Sequence, residues 1–393
     1  MNMNNKNWVS VWGNAVSIAE HHPEAYAKYI TLRYPVYIPF DGDTLRFTFD
    51  NYCGSEAVTV TRATVSAATS PVYEKMPLAC PCKKETICDI TFSKNESVTM
   101  EAHQTAVSDP VSFPVKKGMT LTVSLYFADF TLMQSAVLVT GPLSKGFFSL
   151  GDQTQADALP MDTTKTTNWF YFLSNIELMT AEENHTVICY GDSITAGAWP
   201  DYLTLLARQN PDNHTAFIRR ATSGSRVLRQ YECITYDSYG LKGTNRFPHE
   251  IPTTGADTVI IQQGINDIIH PVGIETNPFR PMSDLPTVKE LIDGYRYYIE
   301  EAKKLHLKVY MGTPLPIFGW RTYATFRDDL RNELNAWIRS AKEIDGCIDF
   351  DLALRGSENP SAFREGFDSG DHLHPSSKAY QAMAECAYEV LRK

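Results

Sequence analysis

The first part of the chain alternates hydrophobic and polar residues in short runs. Residues 45–50 show this alternation, and residues 121–127 repeat it. A period of two predicts strands with one buried face. Turn signals such as the one at 41–43 separate the runs, and no long helical pattern interrupts them. Residues 1–180 are therefore predicted to form an all-β sandwich or jelly-roll domain.

The pattern changes after a short polar linker at 181–184. Residues 187–190 form a continuous apolar run, which predicts a strand buried on both faces of a parallel sheet. Similar runs lie at 258–262, 308–311 and 347–350. Helical periods lie between and after these runs, at 288–302, 326–341 and 380–391. Thr287 and Glu290 have the spacing of a capping box before the first helix. Residues 181–393 are therefore predicted to form an α/β domain, a parallel sheet flanked by helices.

Length and charge narrow the function classes. With 393 residues, the chain exceeds the usual size of a single core, so two domains are expected. The formal net charge of −10 repels phosphate backbones, so nucleic acid is not an expected partner. No apolar run approaches the roughly 18 residues of a membrane span, so no membrane partner is expected either. The N-terminus lacks the apolar segment of a signal peptide, and a cytoplasmic location is expected unless a leader has been removed.

The eight cysteines are dispersed over the chain, unlike the dense framework of a small secreted domain. Cys80, Cys82 and Cys88 cluster in one polar segment. The paired CxxC spacing of a zinc site is absent there, so free thiols are expected and no metal.

The first apolar run of the second domain leads directly into residues 191–195, Gly-Asp-Ser-Ile-Thr. Ser193 thus follows the carboxyl end of a predicted parallel strand, where α/β sheets place their ligands. Glycine, aspartate and serine are also common turn residues. This motif alone leaves a nucleophile and an ordinary turn both open.

A second group of polar residues precedes the last helix. Asp371 and His374 lie three positions apart, and in a tight turn their side chains can meet. A nucleophilic serine needs a base, and the base needs an orienting acid. Spacing alone also leaves His372 open as the base, although Pro375 restricts the backbone of His374 and favours a fixed ring. The alternative is a helix N-terminus carrying a favourable acid and two solvated histidines.

Two further segments follow predicted strands. Asn266 comes shortly after the apolar run at 258–262, where a side-chain amide can donate to a developing oxyanion. Gly224 lies in the segment 222–226, and a glycine lets a carbonyl substrate approach the backbone N–H closely. Each residue could instead be an ordinary turn residue without a catalytic role, since asparagine and glycine are both frequent in turns.

These four segments, in this order, resemble the GDSL or SGNH hydrolase superfamily, named after Ser, Gly, Asn and His in its four sequence blocks. The resemblance implies a flavodoxin-like fold, with Ser193 as nucleophile and Asp371 and His374 completing its triad. It also implies that the oxyanion hole is formed by Ser193, Gly224 and Asn266. The departures from the family pattern are Ile194, Ser225 and Ala221. The likeness extends to a two-domain bacterial subgroup with an N-terminal β-sandwich.

The resemblance implies a serine esterase that hydrolyses small acyl esters, with acetyl groups on carbohydrates expected, through a covalent acyl-enzyme and without a cofactor. An oligosaccharide or small-molecule ester is then the expected partner, and the β domain is a candidate carbohydrate-binding module. Four further side chains are candidates for lining the substrate: Asp192, Trp199, Trp320 and His372. An acyltransferase with the same acyl-enzyme and a non-catalytic carbohydrate-binding protein are the alternatives. An α/β-hydrolase is excluded, because the chain lacks its G-x-S-x-G elbow.

Overall fold

The computed structural model describes residues 6–20 and 25–392. The chain divides into two compact units. The first runs to Thr186 and includes Pro211–Ile218, and the second contains Val187–Asn210 and the chain from Arg219 onward. The division into functional domains at 180/181 stays a prediction.

The described part of the first unit is built from β-strands and one short 3₁₀ helix at Lys84–Thr86. The strands, in chain order, are β1 (Lys6–Gly13), β2 (Ser17–Ile18), β3 (Tyr26–Ala27), β4 (Ile30–Tyr37), β5 (Gly42–Asp50), β6 (Val58–Val60), β7 (Arg62–Ala67), β8 (Cys88–Ile90), β9 (Val98–Met100), β10 (Thr105–Val107), β11 (Val111–Val115), β12 (Thr120–Phe127), β13 (Thr131–Leu132), β14 (Ser135–Leu138), β15 (Gly146–Leu150), β16 (Lys165–Thr167), β17 (Trp169–Tyr171) and β18 (Leu173–Ala181). The all-β prediction for this region is confirmed, while the sandwich or jelly-roll arrangement stays a prediction.

Two larger antiparallel sheets dominate this unit. One has the order β1-β18-β5-β10, with β11 also pairing with β5, and the other has the order β16-β15-β4-β12-β7-β8. Leu45, Phe47 and Phe49 of β5 are fully buried, as the alternating pattern predicts. The prediction of one exposed face is wrong for β12, whose residues are buried throughout. Both faces of this central strand are covered, and the hydroxyl of Thr122 bonds to that of Ser66 at 2.6 Å.

The second unit alternates strands and helices. Its strands are β19 (His185–Gly191), β20 (Thr215–Ala221), β21 (Ala256–Gln262), β22 (Lys308–Gly312) and β23 (Gly346–Ile348), with β19 and β20 beginning in the first unit. Its helices are α1 (Ser193–Ala196), α2 (Trp199–Arg208), α3 (Gly243–Glu250), α4 (Ile265–Ile269), α5 (Val288–Lys304), α6 (Thr325–Ser340), α7 (Phe350–Leu354) and α8 (Ser377–Leu391). Short 3₁₀ helices lie at Ile234–Tyr239 and Met282–Asp284.

The five strands form one parallel sheet with the order β20-β19-β21-β22-β23. In chain order this is 2-1-3-4-5, the flavodoxin-like arrangement, so the fold class is confirmed. The order reverses at β19, and ligands of such sheets bind beyond the carboxyl ends of the strands at that point. The segments that follow β19, β20 and β21 therefore share one edge of the sheet.

The helices begin and end close to the predicted positions. The capping box before α5 is present: Thr287 Oγ1 accepts the Glu290 N–H, and the Glu290 carboxylate accepts the Thr287 N–H at 2.8 Å. The buried residues of α5 lie at helical spacing and face the sheet, which explains the predicted period.

Within the described residues, no helix is both long and apolar enough to cross a membrane. All eight cysteines lie among the described residues, and none of them forms a disulfide. In the same part of the chain, no group of three His, Cys, Asp or Glu side chains is placed to hold a metal ion.

Candidate active site

Ser193 is the first residue of α1 and lies two residues beyond β19. The turn is closed by Asp192, whose carboxylate accepts the N–H of Ile194 at 3.0 Å and caps the helix. Gly191 is required here, because a Cβ at this position would overlap the backbone carbonyl of Gln262 on β21. This tight turn leaves the Ser193 side chain half-buried at the edge of the sheet.

The loop before α8 brings a histidine and an acid to Ser193. His374 Nε2 lies 2.9 Å from Ser193 Oγ, and its Nδ1 lies 2.6 Å from Asp371 Oδ2. The other oxygen of Asp371 accepts the backbone N–H groups of His374 at 2.8 Å and Leu373 at 3.0 Å. Burial alone would raise the pKa of Asp371, but these hydrogen bonds outweigh it and lower the pKa to about 2. An ionised Asp371 therefore holds the ring of His374 with Nε2 toward Ser193.

His372 points elsewhere. Its backbone is left-handed, with φ of 64°, and its ring pairs through Nδ1 with Asp368. The ring also lies against Gly319, where an added Cβ would overlap it. The geometry thus separates the two histidines that sequence spacing left open, and it is His374 that contacts Ser193.

The three predicted oxyanion donors follow three adjacent strands of the sheet. Ser193 follows β19, Gly224 follows β20, and Asn266 lies in α4 directly after β21. Among the described residues, neither the Ser193 N–H nor the Gly224 N–H has an acceptor. The Asn266 amide donates one N–H to the carbonyl of Ser225 at 3.0 Å. Its second N–H, like the two backbone groups, has no acceptor among the described residues.

One known family matches the part of the chain that carries these residues. Residues 189–382 match the GDSL-like Lipase/Acylhydrolase family. The second unit is a GDSL-like lipase/acylhydrolase domain. This domain is accordingly a carboxylic ester hydrolase domain of GDSL type.

Solved structures are similar to about half of this chain at low identity. A GDSL-like lipase from Bacteroides thetaiotaomicron is 19% identical, with a TM-score of 0.38, covering 54% of this chain and 89% of that one. A catalytic mutant of an acetylxylan esterase from Geobacillus stearothermophilus is 16% identical, with a TM-score of 0.39, covering 52% of this chain and 93% of that one. No curated protein matches the chain.

The segment after Gly224 is tied to α4 by residues that sequence reasoning did not single out. Asp267 accepts the N–H groups of Val227 at 2.8 Å and Leu228 at 3.0 Å. Gln263 donates to the hydroxyl of Ser225 at 2.8 Å. The available signal was a run of polar residues directly after a buried strand, of which only Asn266 was assigned a role. These bonds fix the backbone on which Gly224 sits.

Two of the four predicted substrate-lining residues are inaccessible in the GDSL-like domain. Trp199 is fully buried, with its ring 5.5 Å from that of Phe350 and its Nε1 donating to Thr195 Oγ1 at 3.3 Å. Asp192 is also fully buried. Burial, and then the nearby charge of Asp267, raise the pKa of Asp192 to about 7. Both predictions are wrong: the Asp192 carboxylate turns inward to cap α1, and the Trp199 ring packs against Phe350 of α7.

Trp320 and His372 lie on surface loops of the GDSL-like domain. Trp320 is half-buried, beside the Gly319 that contacts His372, and the Arg321 guanidinium lies 4.5 Å from its ring centre. A substrate-lining role for these two side chains stays a prediction.

Proposed function

We propose that this enzyme hydrolyses small acyl esters with Ser193 as nucleophile, His374 as general base and Asp371 as orienting acid. The observation that carries the proposal is the continuous line of hydrogen bonds from Asp371 Oδ2 through the His374 ring to Ser193 Oγ, at 2.6 and 2.9 Å. A serine hydroxyl is a weak nucleophile until an adjacent base takes its proton. The line supplies both the base and the group that fixes the tautomer of the base.

In the first half-reaction, Ser193 Oγ attacks the ester carbonyl carbon while His374 Nε2 takes the hydroxyl proton. The carbonyl oxygen becomes an oxyanion, which the N–H groups of Ser193, Gly224 and Asn266 stabilise. The tetrahedral intermediate then collapses. His374 returns the proton to the departing alcohol, and the acyl group remains on Ser193.

The second half-reaction repeats these steps with water. His374 takes a proton from the water molecule, whose oxygen attacks the acyl carbon. The bond to Ser193 Oγ then breaks, the serine recovers its proton, and the carboxylic acid leaves. The ionised Asp371 stabilises the imidazolium in both halves.

The test is turnover of 4-nitrophenyl acetate by Ser193→Ala. We expect no measurable turnover beyond the oxyanion-hole background, with an unchanged circular dichroism spectrum. Ser377→Ala is the matched control, because Ser377 is also the first residue of a helix but is exposed. A well-folded Ser193→Ala enzyme that keeps a sizeable fraction of wild-type turnover would falsify the nucleophile assignment.

We propose an acetyl group as the acyl part and a carbohydrate as the alcohol. The sequence resemblance supports this substrate class, and the half-buried ring of Trp320 offers a face on which a sugar can stack. A panel of acetylated oligosaccharides and of aryl esters with increasing acyl length, followed by mass spectrometry, tests it. Hydrolysis of long-chain aryl esters without deacetylation of any saccharide would contradict it.

Water is the proposed acyl acceptor. Partition of the product between free acid and transferred ester in the presence of added alcohol measures this choice. A product dominated by transferred ester at low alcohol concentration would make the enzyme an acyltransferase instead.

A further inference from the structure

A cluster of aromatic and basic side chains lies beside Gly224, outside the proposed triad. We call it the arginine–tyrosine cluster. It consists of Tyr231, Tyr236, Tyr239, His270 and Arg280. The tyrosines come from the segment between β20 and α3, His270 directly follows α4, and Arg280 lies in the loop before α5. None of these residues takes part in the mechanism above.

The cluster is in contact with the proposed oxyanion hole. The ring of Tyr239 lies directly on Gly224, where an added Cβ would overlap it. The same ring stacks on His270, with centroids 5.3 Å apart and planes 29° apart. Since Gly224 carries one of the proposed oxyanion donors, a group bound at the cluster would lie next to the reacting ester.

Arg280 is a buried cation. Its relative exposure is 7%, and its Nε is sealed from solvent without a hydrogen-bond partner. Among the described residues, no carboxylate lies within ion-pair distance of its guanidinium. The nearby Asp284 is paired with Arg226 at 3.1 Å. The guanidinium instead lies 4.4 Å from the ring centre of Tyr236.

A buried, unpaired guanidinium is energetically unfavourable as long as no anion is bound beside it. Burying a charge is costly unless the charge is paired, and aromatic rings compensate only in part. An anion that pairs with Arg280 would remove this penalty. A guanidinium presents planar paired donors, which match the two oxygens of a carboxylate.

His270 adds a neutral partner. Its relative exposure is 6%, and its Nδ1 is buried without a hydrogen-bond partner. Burial, and then the charges of Arg280, Arg226 and Arg321, hold the pKa of His270 well below its usual value. The ring is therefore neutral near pH 7 and has an N–H to donate to an anion without adding a further buried charge.

We propose that the arginine–tyrosine cluster is a subsite for a carboxylate on the ester substrate, with Arg280 as its charged partner and His270 as a neutral donor. This inference rests on the proposed esterase function and narrows its substrate class to esters that carry an acid group. A sugar acid bearing an acetyl ester combines both features.

The experiment compares matched esters. The first pair is 4-acetoxybenzoate and its neutral methyl ester, in which the carboxylate lies on the alcohol part. For every ester, kcat/KM is divided by the rate constant of its alkaline hydrolysis, which corrects for intrinsic reactivity. The second pair is 4-nitrophenyl succinate and 4-nitrophenyl butyrate, with the carboxylate on the acyl part. In one of the two pairs, we expect the wild-type enzyme to have a corrected kcat/KM about tenfold or more higher for the acidic ester than for the neutral one. The pair that shows this preference tells whether the substrate carries its carboxylate on the alcohol part or on the acyl part. No preference in either pair overturns the proposal.

Arg280→Met should reduce that preference about tenfold, and Arg280→Lys, which keeps the charge but loses the planar donors, should reduce it by less. Arg229→Met is the matched control: Arg229 is an exposed arginine of the same region, 4.0 Å from Asp284, and its loss should leave the preference intact. An equal fall of kcat/KM for both members of a pair in Arg280→Met would overturn the subsite, because it would indicate a general effect on the oxyanion or the fold.

Direct binding separates this proposal from the esterase proposal. Calorimetry on Ser193→Ala with 4-hydroxybenzoate and 4-hydroxybenzamide, and separately with succinate and succinamide, requires no turnover. We expect one of the acids to bind at least about tenfold more tightly than its amide. Such binding without hydrolysis of any ester would leave the subsite standing and overturn the esterase. Hydrolysis of esters without selective binding of either acid would leave the esterase standing and overturn the subsite. The binding measurement does not depend on Arg280→Met, so it decides the question even if that variant fails to fold.

Discussion

The side-chain amide of Asn266 donates to the backbone carbonyl of Ser225 at 3.0 Å. This bond fixes the plane of the amide before any substrate binds, and the second N–H of the same nitrogen has no acceptor in the described part of the chain. Donors that are already oriented stabilise developing charge without reorganising during the reaction. Asn266 therefore both braces the segment after Gly224 and, in our proposal, donates to the oxyanion.

Asn266→Ala should lower kcat by about 10²–10³-fold with little change in KM, because the oxyanion exists mainly in the transition state. Steady-state kinetics on an aryl acetate measures both constants. Asn335→Ala is a matched control, since Asn335 is a buried asparagine whose amide donates to the carbonyl of Pro314 at 3.0 Å. The control should lose stability but keep kcat. A raised KM with unchanged kcat in Asn266→Ala would instead make Asn266 a binding or structural residue.

Gly224→Ala should reduce activity more than its backbone strain accounts for. Gly224 has φ of 76°, and a Cβ there would overlap the ring of Tyr239. Gly366→Ala is the matched control, because Gly366 has φ of 77° and nothing within 4 Å of an added Cβ. Each variant should lose about 1 kcal/mol of stability from the left-handed backbone. Only Gly224→Ala should also lose most of its kcat/KM, and equal activity in the two variants would argue against a role for the Gly224 backbone.

Asp192 should make stability depend on pH. Burial raises its pKa to about 7, and its Oδ2 has no hydrogen-bond partner among the described residues. Because the folded protein holds this proton more tightly than the unfolded chain, the stabilisation is present at low pH and is lost as pH rises toward 8. Asp192→Asn keeps the oxygen that caps α1 and has no such titration. From pH 5 to pH 8, the wild type should lose about 2–3 kcal/mol of unfolding free energy relative to this variant.

Urea unfolding of both proteins at the two pH values checks this prediction. A constant difference between them would mean that Asp192 is ionised throughout, and that the buried carboxylate has a partner which the structure does not show.

The sequence predicted the position of a residue well where the residues next to it along the chain determine that position. Ser193 directly follows an apolar run, so its place beyond the carboxyl end of a strand could be predicted from its neighbours. The same logic failed for Trp199, because the periodicity of a short helix does not say which face meets α7. Burial of that ring is decided by Phe350, which lies far away along the chain.

The polar supports of the site were harder still to predict. Asp267 and Gln263 act on the segment after Gly224 through bonds that span about 40 positions, and no local pattern encodes them. Arg280 presents the same problem, since the absence of a carboxylate partner among the described residues is a property of the folded structure alone. Sequence reasoning therefore identified the groups proposed to do chemistry and missed the residues that hold or surround them.

The last prediction separates His374 from His372. The base of the proposed mechanism must be neutral, so kcat/KM should fall at acid pH with the titration of one group in the free enzyme. Asp371 does not contribute to this limb above about pH 3, since its pKa of about 2 keeps it ionised. Burial holds the pKa of His270 well below its usual value, so this ring titrates at more acid pH than an ordinary histidine. Asp192, whose pKa burial raises to about 7, also titrates near neutral pH. The two histidine variants therefore decide whether the acid limb belongs to His374.

His374→Ala should lower kcat/KM on the order of 10⁵-fold and remove the acid limb, because without a base the residual rate comes from the oxyanion hole. His372→Ala is the matched control: it removes a ring two residues away that pairs with Asp368 and does not contact Ser193. The control should keep the fall of kcat/KM at acid pH. Its KM changes if the His372 ring contacts the substrate in the wild-type enzyme. An inactive His372→Ala enzyme beside an active His374→Ala enzyme would show that the other histidine is the base, and that the loop adopts another arrangement during turnover.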